Sequence, residues 1–252
     1  VTEITNAAIE PEVIELVAVL QKMGAIISVE TDRVIHITGV PFLKGFEHTV
    51  MTDRNEVVSW ACAAAVTNGK IFVRNARQLD VVSFLNTFRK AGGEFEVRDD
   101  GIEFSRGPAL MSVAVQTDTH PGFMTDWQQP FVVLLTQAVG ASIVHETVYD
   151  DRFGYTTALN EMGATIQLYR ECLGGETCRF GERNNLHSAV VTGPTPLRAA
   201  DITIPDLRAG FSYVVAALAA EGTSILRHME IIDRGYEHFL EKLRGLRADV
   251  GS

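Results

Sequence analysis

The stretch Leu20-Gln21-Lys22-Met23-Gly24-Ala25-Ile26-Ile27-Ser28-Val29 carries an apolar-periodic helix through one glycine into an alternating, strand-like run. The same spacing returns in Phe88-x-x-x-Gly92 and Leu159-x-x-x-Gly163, each followed by strand-like residues. A glycine at that point suits the left-handed residue that closes many helices. In a fourth copy, Leu243-x-x-x-Arg247, arginine stands in the glycine's place, which predicts a poorer cap. Self-similarity at a long period is the mark of a repeated supersecondary unit.

A second set of helices interleaves with the first. Residues 53–69, 126–140 and 206–222 each open on an aspartate and close on a glycine. Aspartate is a strong N-cap because its carboxylate accepts the first free backbone N–H groups. Pro130 supports the middle boundary, since proline suits the first helical turn. The repeat then reads strand, helix, strand, helix, strand, strand, with one unit over residues 47–106 and another over 111–192. Residues 1–40 read as the tail of a further unit, no initiator methionine is present, and the last copy stops before its closing strands. The expected fold is α+β, incomplete at both ends, in a fragment of a longer protein.

Composition narrows the function classes. With 252 residues, 46% of them hydrophobic, the chain can bury a real core. Its 22 basic and 32 acidic residues leave a net charge of −10, which opposes non-specific binding to nucleic acid or anionic membrane. Any anion site must be a local cluster of arginines. The longest apolar stretch, residues 211–220, is too short to span a bilayer, so a cytoplasmic location is expected. Three cysteines do not make a disulfide framework. Cys62 lies in an apolar helical run and reads as core. Cys172 and Cys178 flank a polar loop with His187 downstream, but two thiols and one distant histidine are too few for a zinc site, so reduced loop thiols are expected. His120, His145 and His228 share no metal-like spacing and read as ordinary. No metal and no cofactor is expected.

Three segments carry the chemistry: Pro121-Gly122-Phe123-Met124-Thr125-Asp126-Trp127-Gln128, Pro205-Asp206-Leu207-Arg208-Ala209-Gly210 and Ile232-Asp233-Arg234-Gly235-Tyr236-Glu237. Each sets a charged side chain beside a turn residue, ahead of a helix-like run whose free N–H groups favour anions. Together with Asn6-Ala7-Ala8-Ile9-Glu10-Pro11-Glu12 near the start, they resemble the enolpyruvyl transferases whose acceptor is UDP-N-acetylglucosamine, in one order along almost the whole chain. The resemblance implies an inside-out α/β prism, a barrel-like arrangement of repeats with helices in the middle. On that pattern residues 1–46 are the last part of a first domain and residues 47–252 most of a second. It also implies the small-molecule substrates phosphoenolpyruvate and UDP-N-acetylglucosamine, and a partner N-terminal domain that carries the rest of the site. The chain alone is then expected to be inactive, and unfinished sheet edges predict self-association.

The resemblance assigns roles residue by residue. Asp126 matches the carboxylate that handles the proton of the sugar 3-hydroxyl, Thr125 a neighbour that holds the sugar nucleotide, and Val148 a position whose backbone faces it. Here Met124 replaces a common proline and Trp127 a common methionine. Arg234 matches an arginine that binds phosphoenolpyruvate. Arg152 and Arg208 match two more site arginines, and Asp206 an aspartate that positions its neighbour. Arginine suits a ligand bearing both phosphate and carboxylate, because its planar donors bind either group in pairs. By their residue types alone, Asp126 serves equally as an N-cap, Arg234 as a partner of Asp233 or Glu237, Arg152 and Arg208 as structural ion pairs, and Val148 as strand core. Arg54 reads as an exposed first-turn residue paired with a nearby acid, and residues 170–187 as a solvated insertion or a loop over the site. Another enolpyruvyl transferase, such as 5-enolpyruvylshikimate-3-phosphate synthase, and a non-catalytic binding module of the same fold remain as alternative readings.

Overall fold

A computed structural model describes residues 1–174 and 178–251. The chain divides into two compact units, one formed by Val1–Asp53 with Thr119–Pro121 and the other by the remainder. In the first, β1 (Thr2–Ile4), α1 (Pro11–Lys22), β2 (Ile26–Val29) and β3 (Ile35–Thr38) follow in order. The strands form an antiparallel sheet in the order β1-β3-β2. Pro11 opens α1 where its missing N–H is harmless, and Lys22 sits in the last turn against the negative dipole end. The strand expected from residue 47 does not form. Glu15 takes the Met51 N–H at 2.7 Å and lies 3.0 Å from His48 Nε2, so a side chain supplies what a neighbouring strand would have offered.

The second unit holds the repeats. α2 (Arg54–Val66), β4 (Lys70–Arg74), α3 (Val82–Lys90), β5 (Gly93–Arg98) and β6 (Gly101–Arg106) come first, with sheet order β4-β6-β5. Next are β7 (Ala114–Gln116), α4 (Thr125–Thr136), β8 (Gly140–His145), α5 (Thr156–Glu161), β9 (Thr165–Tyr169) and β10 (Ser188–Gly193), which realise the whole strand-helix-strand-helix-strand-strand pattern. Their sheet runs β7-β8-β10-β9, with β7 and β8 parallel and the other pairs antiparallel. The last copy comprises β11 (Asp201–Thr203), α6 (Leu207–Ala219), β12 (Ile225–Arg227), α7 (Glu230–Asp233) and α8 (Phe239–Gly245), with β11 and β12 again parallel.

Helices α2, α4 and α6 pack against one another and fill the middle. Every residue of α2 except Glu56 is buried, as is α4 from Trp127 onward. A helix that is apolar or small on all sides, like the Ala61-Cys62-Ala63-Ala64-Ala65 run, has no face to give to water. Aromatic rings bind the layers: Phe84 lies 6.0 Å from Trp127 and 6.2 Å from Phe131, and Phe211 lies 4.5 Å from Tyr236.

The repeated helix ends share one geometry. Gly24, Gly92 and Gly163 have φ of 100°, 87° and 102°. At the first and third, Ala25 N–H reaches Leu20 C=O and Ala164 N–H reaches Leu159 C=O, both at 2.9 Å. Arg247 takes the same left-handed position at φ 64°, with Ala248 N–H on Leu243 C=O at 3.0 Å. The interleaved helices differ from expectation at both ends. α4 and α6 stop short of Gly140 and Gly222, and Asn68 rather than Gly69 adopts the positive φ after α2. Asp206 does cap α6, accepting from the N–H groups of Arg208 at 2.8 Å and Ala209 at 2.9 Å. Asp126 does not cap α4; Met124 is the cap residue and Asp126 lies inside the first turn. Pro130 stands beyond that turn, within α4, and removes the N–H that the Asp126 carbonyl would otherwise receive.

Left-handed backbone costs a non-glycine residue about 1–2 kcal/mol, so Gly163→Ala is expected to lose roughly that much stability. Arg247→Gly is expected to gain about 0.5–1 kcal/mol, because the arginine side chain makes no hydrogen bond or ion pair among the described residues. Equilibrium denaturation of the two variants beside the parent checks both signs.

Candidate active site

The site grows from the junction of β8 with the first turn of α4. Immediately after β8, Glu146 is fully buried. One carboxylate oxygen accepts from Thr117 Oγ1 at 2.8 Å and from the N–H groups of Val148 at 2.7 Å and Tyr149 at 2.9 Å. The other accepts from Thr125 Oγ1 at 2.8 Å and Gln128 Nε2 at 2.7 Å. Five donors replace the water a buried charge has lost. Tyr155 OH donates to Gln128 Oε1 at 3.0 Å, and Thr147 N–H to Thr117 Oγ1 at 2.9 Å, so the residues around Glu146 are themselves held.

Asp126 follows Thr125 and turns its carboxylate the other way, toward two guanidinium groups. Arg152 Nη2 donates to Oδ1 at 2.6 Å and Arg208 Nε to Oδ2 at 3.2 Å. The Asp126 side chain keeps 30% of its exposure, against 12% for Arg152 and 20% for Arg208, so the cluster faces solvent through its acid. Arg152 leaves its turn at 152–155 with its guanidinium 4.8 Å from the Tyr149 ring, and its Nε is buried without a partner among the described residues. Arg208 Nη1 reaches Tyr236 OH at 3.4 Å, and Tyr236 OH lies 3.1 Å from Ser59 Oγ. Two guanidinium groups share one carboxylate in an acidic chain.

Thus Asp126, Arg152 and Arg208 come together through direct bonds, with Asp206 fixing the backbone from which Arg208 projects, while Thr125, next to Asp126 in the chain, is held by Glu146. Val148 lies outside β8 rather than in a strand core; its N–H serves Glu146 and its carbonyl accepts from Arg179 Nη2. Arg234 follows α7 and is exposed. It pairs with neither Asp233 nor Glu237, and no hydrogen bond or ion pair among the described residues joins it to the Asp126 cluster. Its segment reaches the cluster through Tyr236. Arg54 is 1% exposed rather than solvated, with its guanidinium 5.7 Å from the Trp127 ring.

A second cluster lies behind Glu146. Both sulfurs of Cys172 and Cys178 and one ring nitrogen each of His145 and His187 lie within 4.8 Å of one another. His145 is therefore not ordinary: the β8–β10 register sets His145 opposite Ser188, bringing it beside His187. Burial, and then the neighbouring His187, push the His145 imidazole below its usual range and favour the neutral ring. Nor are residues 170–187 a merely solvated insertion, since Phe180 is fully buried and His187 is 2% exposed. Residues 175–177 of that segment lie outside the described residues.

A sequence profile of the family described as EPSP synthase (3-phosphoshikimate 1-carboxyvinyltransferase) matches residues 1–243. The chain belongs to this family. It is 55% identical over 251 residues to the UDP-N-acetylglucosamine 1-carboxyvinyltransferase of Protochlamydia amoebophila (strain UWE25), covering 99% of this chain and 54% of the relative. The enzyme of the same name from Chlamydia pneumoniae is 49% identical, covering 99% of this chain and 55% of the relative. The chain thus spans about half the length of the curated relatives it matches. Among solved structures it superposes on the enolpyruvyl transferase NikO from Streptomyces tendae with a TM-score of 0.81 at 24% identity, over 98% of this chain and 56% of that one. An EPSP synthase from Acinetobacter baumannii gives 0.72 at 14% identity, covering 100% of this chain and 58% of that one. These likenesses show the inside-out α/β fold of the family. No helix among the described residues is long and apolar enough to cross a membrane.

An amide at position 146 would turn a donor toward donors. Glu146→Gln is expected to lower stability by about 2–4 kcal/mol, whereas Asp150→Asn, which breaks an exposed pair with Arg183, is expected to cost less than about 1 kcal/mol. Urea denaturation of both variants makes the comparison.

Proposed function

We propose that this chain forms one wall of an interdomain site that transfers the enolpyruvyl group of phosphoenolpyruvate to the 3-hydroxyl of UDP-N-acetylglucosamine, releasing phosphate, in the synthesis of a peptidoglycan precursor. The observation that carries this reading is Asp126 held between Arg152 and Arg208, in a chain 55% identical to a relative of that name. Residues 1–46 belong on this reading to the first enolpyruvyl transferase domain and residues 47–252 to the second. The remainder of the relatives' length supplies the opposite wall, so the chain alone is inactive. Phosphoenolpyruvate is a cytoplasmic metabolite, which sets the reaction there.

The sugar hydroxyl adds to C2 of phosphoenolpyruvate while C3 gains a proton, giving a tetrahedral phosphoketal; loss of phosphate and of a C3 proton then restores the double bond. Asp126, the solvent-facing member of the cluster, takes the hydroxyl proton. Arg152, Arg208 and the exposed Arg234 hold the phosphate and carboxylate and stabilise charge as it develops. Thr125 and the backbone at Val148, both fixed by Glu146, orient the sugar nucleotide. Preorganised charge and position drive the reaction.

In the full-length protein, Asp126→Ala is expected to cut turnover by about 10²–10⁴-fold with the circular dichroism spectrum unchanged. Unchanged turnover would take Asp126 out of the chemistry, and absence of turnover in the parent full-length protein would leave a binding module of the same fold as the better reading. Turnover with shikimate 3-phosphate in place of the sugar nucleotide would favour the other enolpyruvyl transferase.

A further inference from the structure

We propose that His145, Cys172, Cys178 and His187 form a four-coordinate structural zinc site that clips the segment between β9 and β10 to the end of β8. The donor set is the first argument, since two thiolates and two imidazoles are what tetrahedral zinc takes. Cys172 Sγ lies 3.7 Å from Cys178 Sγ and 3.3 Å from His187 Nε2. Around a tetrahedral zinc, bonds of about 2.3 Å to sulfur and 2.0–2.1 Å to nitrogen give edges of about 3.8 Å and 3.6 Å. A disulfide would bring the sulfurs to about 2.05 Å.

The surroundings are the second argument. His187 Nδ1 lies 2.9 Å from the Asn185 carbonyl, which can only accept, so Nδ1 carries the proton and Nε2 keeps its lone pair toward Cys172. His145 Nδ1 is likewise 3.1 Å from Gln116 Oε1, and its Nε2 is buried with no hydrogen-bond partner among the described residues. A ring nitrogen tied back in this way is how ligating histidines are oriented. The sulfurs accept backbone N–H groups, Cys178 N–H on Cys172 Sγ at 3.5 Å and Phe180 N–H on Cys178 Sγ at 3.4 Å, which favour thiolate. Phe180, fully buried 5.9 Å from the His187 ring, shields one side. The backbone comes so near that a Cβ on Gly174 would stand 2.1 Å from His145 Nδ1.

With all four positions taken by the protein, such a metal leaves no open position for substrate and acts on structure. Its reach is local. His145 precedes Glu146, and Arg179, next to Cys178, donates to the Val148 carbonyl. The clip would hold that segment against the strand end from which the sugar-nucleotide contacts are proposed to come. The metal site itself does not rest on the proposed reaction.

The test is metal analysis of the full-length protein purified under reducing conditions without chelator, then stripped and titrated with zinc against a chromophoric chelator. The expected result is about one zinc per chain, and cobalt replacement giving thiolate-to-metal charge transfer with intense visible bands of a four-coordinate ion. Cys172→Ser with Cys178→Ser should abolish binding, and His145→Ala should weaken it at least tenfold. Absence of stoichiometric binding by the parent protein, retention of zinc by the double cysteine variant, or a Cys172–Cys178 disulfide in the intact mass overturns the site. The parent titration decides the matter even where a variant fails to fold.

Discussion

A single buried carboxylate organises the part of the molecule that matters most. Glu146 draws together the residue after β7, the first turn of α4 and the backbone of Val148 and Tyr149, two and three residues further along the chain. An ionised group in the interior is tolerable only when donors take the place of water, and each donor recruited here belongs to a segment that must be positioned. Thr125 is fixed by it, and Asp126 is the next residue. The direction in which Asp126 faces its arginines follows from this anchoring.

Around that anchor the electrostatics are strongly local. The chain carries a net charge of −10, yet Arg152 and Arg208 outnumber the one acid they share. Partly buried guanidinium groups resist screening, so they retain their attraction for a doubly anionic ligand where surface lysines would not. The same pairs that hold Asp126 must be shared with or yielded to such a ligand. Tyr236, between α7 and α8 of the same copy, and Ser59, on α2 of another repeat, tether Arg208 from behind, so the repeat architecture and the site depend on each other.

Much of this was legible in the residues, and the exceptions have physical causes. Helix ends at Gly24, Gly92 and Gly163 were readable because left-handed backbone selects glycine, and Arg247 shows that the position outlasts the residue. The aspartate rule succeeded at Asp206, where nothing competes for the carboxylate, and failed at Asp126, where two arginines do. Glu146 was missed because a glutamate ending a strand looks solvated; the threonines at 117 and 125 that bond to it were the available signal. His145 was missed because ligand spacing was sought along the chain, whereas antiparallel pairing of β8 with β10 brings it to His187. Arg54 was misplaced because charge argues for exposure, while a flat guanidinium can lie near Trp127 inside the fold.

The most direct measurement is a crystal structure of the full-length protein with phosphoenolpyruvate or an unreactive analogue and UDP-N-acetylglucosamine bound. The account predicts the sugar 3-hydroxyl within hydrogen-bonding distance of Asp126, with the phosphate or carboxylate of the second ligand on Arg152, Arg208 or Arg234. A ternary complex in which both ligands lie away from these side chains would contradict it.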